Sequence, residues 1–321
     1  MRAAVIAAAL SLATPLVASD FVMTLPIDCT LGDTCYIQQY MDRDRDTGAH
    51  DFTCGTLSYD GHKGTDFALP TLADMARGVN VLAAAPGRIR AIRNDMPDQL
   101  WTRQTAAGIE GRECGNGVVI THTDGYETQY CHLAEGSVTV RAGDQVAAGD
   151  VLGQIGLSGK PEFPHLHLSL RRNGTEIDPF DRDMTQTCGA DAVPLWTDPA
   201  PTYTPGGLID AGFSENVPAY DSVKAGTASA TSLTPDAPAL VIFGFAYGAR
   251  DGDRLRMEIL GPTGPVIRRE VEIDKDQAQL FRAVGKRKAD ASWPKGVYQG
   301  RVELWRDHTL LGEKAIKIAI E

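Results

Sequence analysis

Two short stretches, about a hundred residues apart, carry side chains that suit metal chemistry. The first, GHKGTD, contains His62 and Asp66, and the second, PHLHL, contains His165 and His167. The second stretch is short, apolar and bounded by turn formers, which predicts a β-strand. Residues two apart on a strand point to the same face, so the two imidazoles project together while the leucines face a core. Two imidazoles and one carboxylate leave a fourth tetrahedral position open for water, the pattern of a catalytic zinc site.

The overall charge excludes one class of function. The chain has 321 residues and a formal net charge of -11. A nucleic-acid-binding protein needs a basic footprint, so we expect no nucleic-acid partner. The length predicts two domains with ample core.

Residues 1–19 are predicted to be a signal peptide. Arg2 gives a positive start, residues 3–17 are apolar, and small residues precede Asp20. The apolar run is shorter than the roughly 18 residues of a membrane span. The mature chain is therefore expected to be exported, periplasmic or extracellular, with no stable membrane span after cleavage.

All six cysteines follow the signal peptide and precede residue 189. An even number of cysteines in an exported chain indicates disulfides, although the sequence does not select their connectivity. One pair follows from a predicted hairpin that turns at residues 123–125. Its register brings Cys131 near residues 114–117, which makes a Cys114–Cys131 bond plausible.

The predicted fold class is mainly β. An irregular Cys-rich segment, residues 20–60, precedes an antiparallel β domain at 61–196 that includes a polar insertion at 93–115. A Pro/Gly-rich linker is predicted at 197–218, followed by an immunoglobulin-like β-sandwich at 219–321. The predicted strands of the first domain are 79–84, 87–92, 118–122, 127–132, 137–140, 150–156 and 165–170. Those of the second are 239–246, 254–259, 267–273, 279–284, 297–306 and 315–320.

Residues 60–180 resemble the lysostaphin/LytM-type zinc endopeptidases of bacterial cell walls, metallopeptidase family twenty-three, which have the duplicated hybrid motif fold. Five blocks occur in the order of that family. They are GHKGTDFA at 61–68, VLAAAPGRI at 81–89, the hairpin ending YCHL at 117–133, the Gly-rich VAAGDVLGQIG at 146–156 with the HLH strand after it, and Asp178-Pro179. The resemblance implies a lysostaphin/LytM-like catalytic domain.

The resemblance also implies roles for single residues. His62, Asp66 and His167 would bind Zn²⁺, while His132 and His165 would be catalytic residues that line the site. One of these two histidines would take the proton of the attacking water and the other would stabilise the developing oxyanion. His165 is expected nearer the water because it shares a strand and a face with His167, but the two roles remain interchangeable.

Three further residues are weaker candidates for an outer shell or for substrate contact. Tyr130 alternates with His132 on the predicted strand, so its side chain could point to the site or pack in the core. His122 ends a strand and is more often structural. Ser169 stands where the family usually has Glu, so a hydrogen bond behind the metal site is expected to differ.

The predicted function is hydrolysis of peptide bonds in peptidoglycan cross-links or stems. A non-catalytic scaffold or activator of cell-wall hydrolases is an alternative, although such relatives typically lose metal ligands and here all five positions are filled. A zinc protease that acts on exported proteins is a second alternative. The partner of the C-terminal domain stays open.

Overall fold

Short alternating stretches separated by glycine turns form eighteen β-strands in residues 21–321, the part of the chain that this computed structural model describes. The predicted signal peptide, residues 1–19, lies outside the described residues. Within 21–321, no helix is both long and apolar enough to span a membrane. The mainly β fold class is confirmed, with mostly antiparallel sheets.

The N-terminal β domain, residues 21–196, is built on one large sheet. Its elements are β1 (Tyr36–Gln39), β2 (Thr65–Ala68), α1 (Leu72–Ala76), β3 (Asn80–Leu82), β4 (Gly87–Arg93), β5 (Asn116–Thr121), β6 (Tyr126–Leu133), β7 (Gln145–Val146), β8 (Val151–Gln154), β9 (His165–Arg172) and β10 (Thr175–Glu176). The sheet order is β1-β2-β9-β6-β5-β4-β7, with β10 paired to β9, and β3 and β8 form a separate pair. The strand that carries the two histidines is therefore central, between β2 and β6.

The C-terminal β domain, residues 207–321, contains two further sheets. Its elements are β11 (Gly207–Ser214), α2 (Tyr220–Ala225), β12 (Ser232–Leu233), β13 (Ala239–Ala249), β14 (Arg254–Gly261), β15 (Gly264–Glu272), β16 (Gln277–Arg287), β17 (Gly296–Arg306) and β18 (Thr309–Ile320). One sheet has the order β11-β13-β16 and the other β12-β18-β17-β14-β15. Two sheets with a common apolar core agree with the predicted sandwich, and its immunoglobulin-like type stays a prediction.

The core of the N-terminal β domain lies behind the histidine strand. Leu166 and Leu168 of β9 are fully buried with Phe67 of β2 and Tyr130 of β6. Full burial of a leucine or phenylalanine side chain contributes about 1.5–3 kcal/mol. This packing fixes which face of β9 is turned to the core, and so leaves the two histidines on the other face.

The two β domains also share an apolar cluster. Tyr36 and Ala68 of the N-terminal β domain are buried together with Phe243, Phe245 and Tyr247 of β13. The rings of Tyr36 and Tyr247 have their centroids 4.4 Å apart. The C-terminal β domain is thus packed directly against the sheet that holds the histidines.

Three boundary predictions were wrong. Residues 137–140 form no strand, because their backbone bonds to the loop and to β8 irregularly. Residues 207–214, inside the predicted linker, form β11, because Leu208 and Phe213 can pack while Gly212 lets β11 lie close against Phe243. The segment 20–60 is not wholly irregular, since β1 pairs with β2.

Three disulfides cross-link the N-terminal β domain: Cys29–Cys35, Cys54–Cys188 and Cys114–Cys131. The predicted pairing of Cys114 with Cys131 is confirmed. Cys54–Cys188 joins positions 134 residues apart and ties the N-terminal segment to the far end of the domain. The cysteine-rich segment is therefore an integral part of this domain.

Candidate metal centre and catalytic cleft

The pairing of β2 with β9 brings three potential metal ligands together. Asp66 lies directly opposite His167, so their side chains share a face. His62 reaches the same point from the turn before β2. His62 Nε2 lies 3.2 Å from Asp66 Oδ1 and 3.2 Å from His167 Nδ1, and His167 Nδ1 lies 2.8 Å from Asp66 Oδ1. Ligands bound to a tetrahedral zinc at about 2.0–2.1 Å are separated by about 3.3–3.4 Å. The two separations of 3.2 Å are close to that value, and the His167–Asp66 pair, at 2.8 Å, is at hydrogen-bond distance.

The outer nitrogen of each ligand histidine is already engaged. His62 Nδ1 donates to the carbonyl oxygen of Tyr40 over 2.7 Å, which leaves the Nε2 lone pair for a metal. His167 Nε2 lies 3.0 Å from the hydroxyl oxygen of Ser169, which leaves Nδ1 directed at Asp66. Such partners fix the tautomer and the orientation of a metal-ligating imidazole. The family usually has Glu at the position of Ser169. In this structure the Ser169 hydroxyl is the group that orients the ring of His167.

The electrostatics of the three ligands favour a cation. Burial by itself would raise the pKa of the Asp66 carboxyl, but the surrounding His62 and His165 and the hydrogen bonds from His167 and His62 hold it well below its usual range. Burial alone would lower the pKa of His62, yet the neighbouring Asp66 carboxylate raises it. The donor set of two imidazoles and one carboxylate, with His62 and Asp66 buried and His167 partly exposed, suits Zn²⁺.

His132 reaches the site because its backbone is left-handed. On β6, Cys131 lies opposite His167 while Tyr130 lies opposite Leu168 in the core. Simple alternation would turn His132 toward the core with Tyr130. Its φ of 66° breaks that alternation and places its ring 4.7 Å, centroid to centroid, from the ring of His165. A bulky residue in this conformation is a strained position of the kind found at functional sites.

Two contacts hold His132 in this conformation. Its backbone N–H donates to the carbonyl oxygen of Cys114 over 2.8 Å. Cys114 is in turn bonded to Cys131, the residue immediately before His132. The disulfide therefore anchors the end of β6 at the point where the chain turns the imidazole toward the site.

His132 and His165 present the same ring nitrogen to the cleft. His132 Nδ1 donates to the carbonyl oxygen of Ser158, and His165 Nδ1 donates to that of Phe163, each over 2.9 Å. The Nε2 atom of each ring is thereby left with its lone pair. Burial lowers the pKa of both imidazoles, and for His132 the nearby His165 and His167 lower it further. Burial therefore favours the neutral form of both imidazoles, the form in which Nε2 can act as a proton acceptor.

Phe163 supports His165 in two ways. Its ring stacks on the imidazole with centroids 4.4 Å apart and planes 28° apart, and its carbonyl accepts the Nδ1–H bond. Phe163 also packs against the apolar cluster shared by the two domains. Its role depends on the second domain, which no local pattern reveals.

Tyr130 and His122, two of the weaker candidates, share a hydrogen-bond network through Thr128. The Tyr130 hydroxyl accepts from the Ala84 amide over 2.8 Å and lies 3.1 Å from the hydroxyl oxygen of Thr128. His122 Nδ1 donates to the carbonyl of Pro86, and its Nε2 lies 2.8 Å from Thr128 Oγ1. Both residues tie the β5–β6 hairpin to the segment 84–86 behind the sheet, so their role is structural.

A cleft of about 490 Å³ is lined by Asp66 and His167 of the candidate metal ligands and by His132 and His165. The polar insertion 93–115 supports its rim, because the Trp101 ring lies 5.2 Å from Nζ of Lys160, which lines the cleft. The Trp101 amide also donates to the carbonyl of Pro161 over 2.8 Å. Sequence reasoning named the five site residues but missed other cleft residues, including Gln39, Tyr59 and Gln277. These belong to the N-terminal segment and to the second domain, where no motif marks them.

Comparison with known proteins agrees with this geometry. Residues 60–179 match the profile described as Peptidase family M23. Residues 60–179, here called the M23 domain, belong to peptidase family M23. The matched residues include all five site residues, four histidines and one aspartate, as well as the Cys114–Cys131 disulfide.

Curated relatives of the M23 domain are larger proteins. The DD-carboxypeptidase/endopeptidase Mpg of Neisseria meningitidis is 35% identical over 118 residues, which cover 37% of this chain and 22% of Mpg. The peptidoglycan DD-endopeptidase ShyA of Vibrio cholerae is 31% identical over 117 residues, which cover 36% of this chain and 22% of ShyA. The chain thus spans about a fifth of the length of these relatives.

Solved structures align with the M23 domain in part. The catalytic domain of the prophage-encoded M23 protein EnpA from Enterococcus faecalis is 25% identical, with a TM-score of 0.29, and the alignment covers 44% of this chain and 88% of that domain. The catalytic domain of lysostaphin from Staphylococcus simulans is 26% identical, with a TM-score of 0.27, and the alignment covers 37% of this chain and 77% of lysostaphin's domain. In neither case does the alignment reach half of the present chain.

Proposed function

We propose that the chain is an exported, zinc-dependent endopeptidase that hydrolyses peptide bonds in the cross-links or stems of peptidoglycan. The observation that carries this proposal is the convergence of His62, Asp66 and His167 beside the imidazoles of His132 and His165, whose Nδ1 atoms bond to backbone carbonyls. Family M23 and the names of Mpg and ShyA support the reaction and the substrate class.

His62, Asp66 and His167 would hold the zinc. When bound, zinc polarises a scissile carbonyl and makes a water molecule acidic enough to attack it at neutral pH. His62 and His167 are oriented for this task by Tyr40 and Ser169, and Asp66 supplies the negative charge.

His132 and His165 would move the proton. Burial lowers the pKa of each imidazole and a backbone carbonyl holds its Nδ1–H, so Nε2 would accept the proton of the attacking water. Once protonated, the same Nε2–H donates to the leaving amine or to the developing oxyanion. Their rings are neighbours, so one can act as base while the other stabilises charge.

The test compares zinc content and release of peptides from purified cell wall for the wild type, His167→Ala and His132→Ala. We expect His167→Ala to lose both zinc and activity. We expect His132→Ala to keep zinc and to lose activity by a factor of 10²–10⁴, the usual contribution of a general acid or base. His308→Ala, an exposed histidine in the turn between β17 and β18, is the matched control and should change neither quantity.

Two results would reject the proposal in different ways. A wild type that binds no zinc would favour the scaffold or activator alternative. A wild type that binds zinc and cleaves a panel of exported proteins, but releases nothing from cell wall, would favour the protease alternative.

A further inference from the structure

The catalytic cleft is not built by the M23 domain alone. Besides Asp66, His167 and the two catalytic histidines, its lining includes five residues of the C-terminal β domain: Gly248, Ala249, Asp276, Gln277 and Ala278. These residues are contiguous in space, because the end of β13 pairs with the start of β16, with Ala249 opposite Gln277. One corner of the second domain therefore faces the reacting groups across the cleft.

Polar contacts fix this corner to the first domain. Gln38 Nε2 of β1 donates to the carbonyl oxygen of Ala278 over 2.9 Å. Gln279 Nε2 donates to the hydroxyl oxygen of Tyr36 and to Oε1 of Gln38, each over 3.0 Å. Arg250 Nε donates to Thr56 Oγ1 over 3.0 Å. Four hydrogen bonds and the shared aromatic cluster hold the wall at a defined distance from the metal ligands.

A close backbone approach confirms how tightly the corner is seated. Gly248 has a φ of 64°, and a Cβ on it would lie 2.8 Å from Cδ2 of Leu57, a cleft residue of the N-terminal segment. The guanidinium of Arg306 donates to the carbonyl oxygens of Gly248 and Pro205, over 2.8 Å and 3.0 Å, and binds the Asp253 carboxylate. Gly248 is thus held between Leu57 on one side and Arg306 on the other.

Two amide side chains in the cleft have polar atoms without a partner. Within residues 21–321, Oε1 of Gln39 and Nε2 of Gln277 are buried and make no hydrogen bond. Gln39 is 8% exposed, and it lies opposite Asp66 across the β1–β2 pair, so it shares the face of the metal ligands. Buried polar atoms are nearly always paired in folded proteins, so two unpaired atoms in one cleft point to a ligand that completes them.

We propose that the C-terminal β domain forms a wall of the catalytic cleft, and that Gln277 and Gln39 bind the backbone amides of the substrate peptide. The unpaired atom of Gln277 is a donor and that of Gln39 is an acceptor, which complements the carbonyl and the N–H that each residue of a peptide offers. The two glutamines would then select an extended peptide and set its register over the metal ligands. This inference rests on the proposed peptidase function.

The test measures KM and kcat for a purified cross-linked muropeptide dimer. We expect Gln277→Ala and Gln39→Ala each to raise KM about five- to tenfold, the effect of one lost hydrogen bond, and to change kcat less than twofold. Gln277→Glu keeps the size of the side chain but replaces the donor by a charged acceptor, so KM should rise further. Gln299→Ala, an exposed glutamine on β17 outside the cleft, is the control and should leave both constants unchanged.

A binding measurement separates recognition from turnover. Calorimetric titration of the same dimer into His132→Ala and into the double variant His132→Ala/Gln277→Ala should show weaker binding to the second by the same factor. If the wild type acts on the dimer but KM and affinity stay within twofold in the Gln277 variants, the inference is overturned and the proposed function stands. If the wild type neither binds nor cleaves the dimer, the proposed function fails, and this inference fails with it.

Discussion

The two β domains of this protein are both built from strands, but they differ in the length and regularity of those strands. In the C-terminal β domain, β13, β16, β17 and β18 run for 11 or 12 residues, and of its non-glycine residues only Asp307 has a positive φ among those described. In the N-terminal β domain no described strand exceeds eight residues, and six non-glycine residues have positive φ. The irregular domain holds the candidate metal ligands, while the regular one lines part of the cleft beside them.

The difference has a physical origin. A regular strand alternates its side chains between two faces, so it cannot turn consecutive residues to one side. The site needs Cys131 near His167 and also needs His132 in the cleft, which a regular β6 would not allow. The backbone is therefore strained at His132, and hydrogen bonds and disulfides around it hold the strained form. The C-terminal β domain only has to hold its cleft residues in a fixed position, and the long paired strands β13 and β16 do so.

The largest expected effect concerns the disulfides, which only the irregular domain has. Cys54→Ser/Cys188→Ser opens a loop of 134 residues and should destabilise the fold by about 5 kcal/mol, because the unfolded chain gains that much freedom. Cys29→Ser/Cys35→Ser, with a separation of 6 residues, should cost about 2 kcal/mol and is the matched control. Urea unfolding measures both.

Hydrogen exchange locates the effect of that substitution. Amides of β2, β6 and β9 should exchange faster in Cys54→Ser/Cys188→Ser, while those of β14 and β17 stay protected. Equal loss of protection in both domains would mean that they unfold as one unit, and the contrast between them would then concern function and not stability.

An intermediate effect is expected at Ser169. Ser169→Ala removes the hydroxyl at 3.0 Å from His167 Nε2, so zinc affinity should fall about 10- to 100-fold, as for other partners of metal-ligating histidines. Competition with a chelator of known affinity measures the change. Ser232→Ala, on the exposed edge strand β12, should not alter affinity. Unchanged affinity in Ser169→Ala would indicate that Asp66 alone orients the ring.

The smallest effect tests the strain at His132. In zinc-free protein, His132→Gly should be more stable than His132→Ala by about 1 kcal/mol, because glycine accepts a positive φ without a steric penalty. At His308, whose φ is not positive, the order should reverse by about 0.4–1 kcal/mol, since glycine there only adds freedom to the unfolded chain. Thermal unfolding of the four variants gives both differences. If the alanine variant were the more stable one at both positions, the backbone at His132 would not be strained.

Much of the site was predictable from local pattern. The spacing of His165 and His167 on an apolar strand predicted one shared face, and the structure has them on one face with Asp66. The Cys114–Cys131 pair followed from a hairpin register, and it is present. Alternation also misled, since it grouped Tyr130 with His132, whereas a single positive φ separates them.

The amino-acid sequence by itself determined the residue types of the site, the mainly β class and the family, because these depend on short-range periodicity and on motifs read in order. Only the tertiary structure decided which backbone carbonyls accept hydrogen bonds from the histidine rings. It also decided that Phe163 packs against the second domain and that Gln277 and Gln39 line the same cleft. The hydrogen bonds between β1 and β16 join residues more than 200 positions apart. They arise from packing two domains together, and no local periodicity encodes which surfaces will meet.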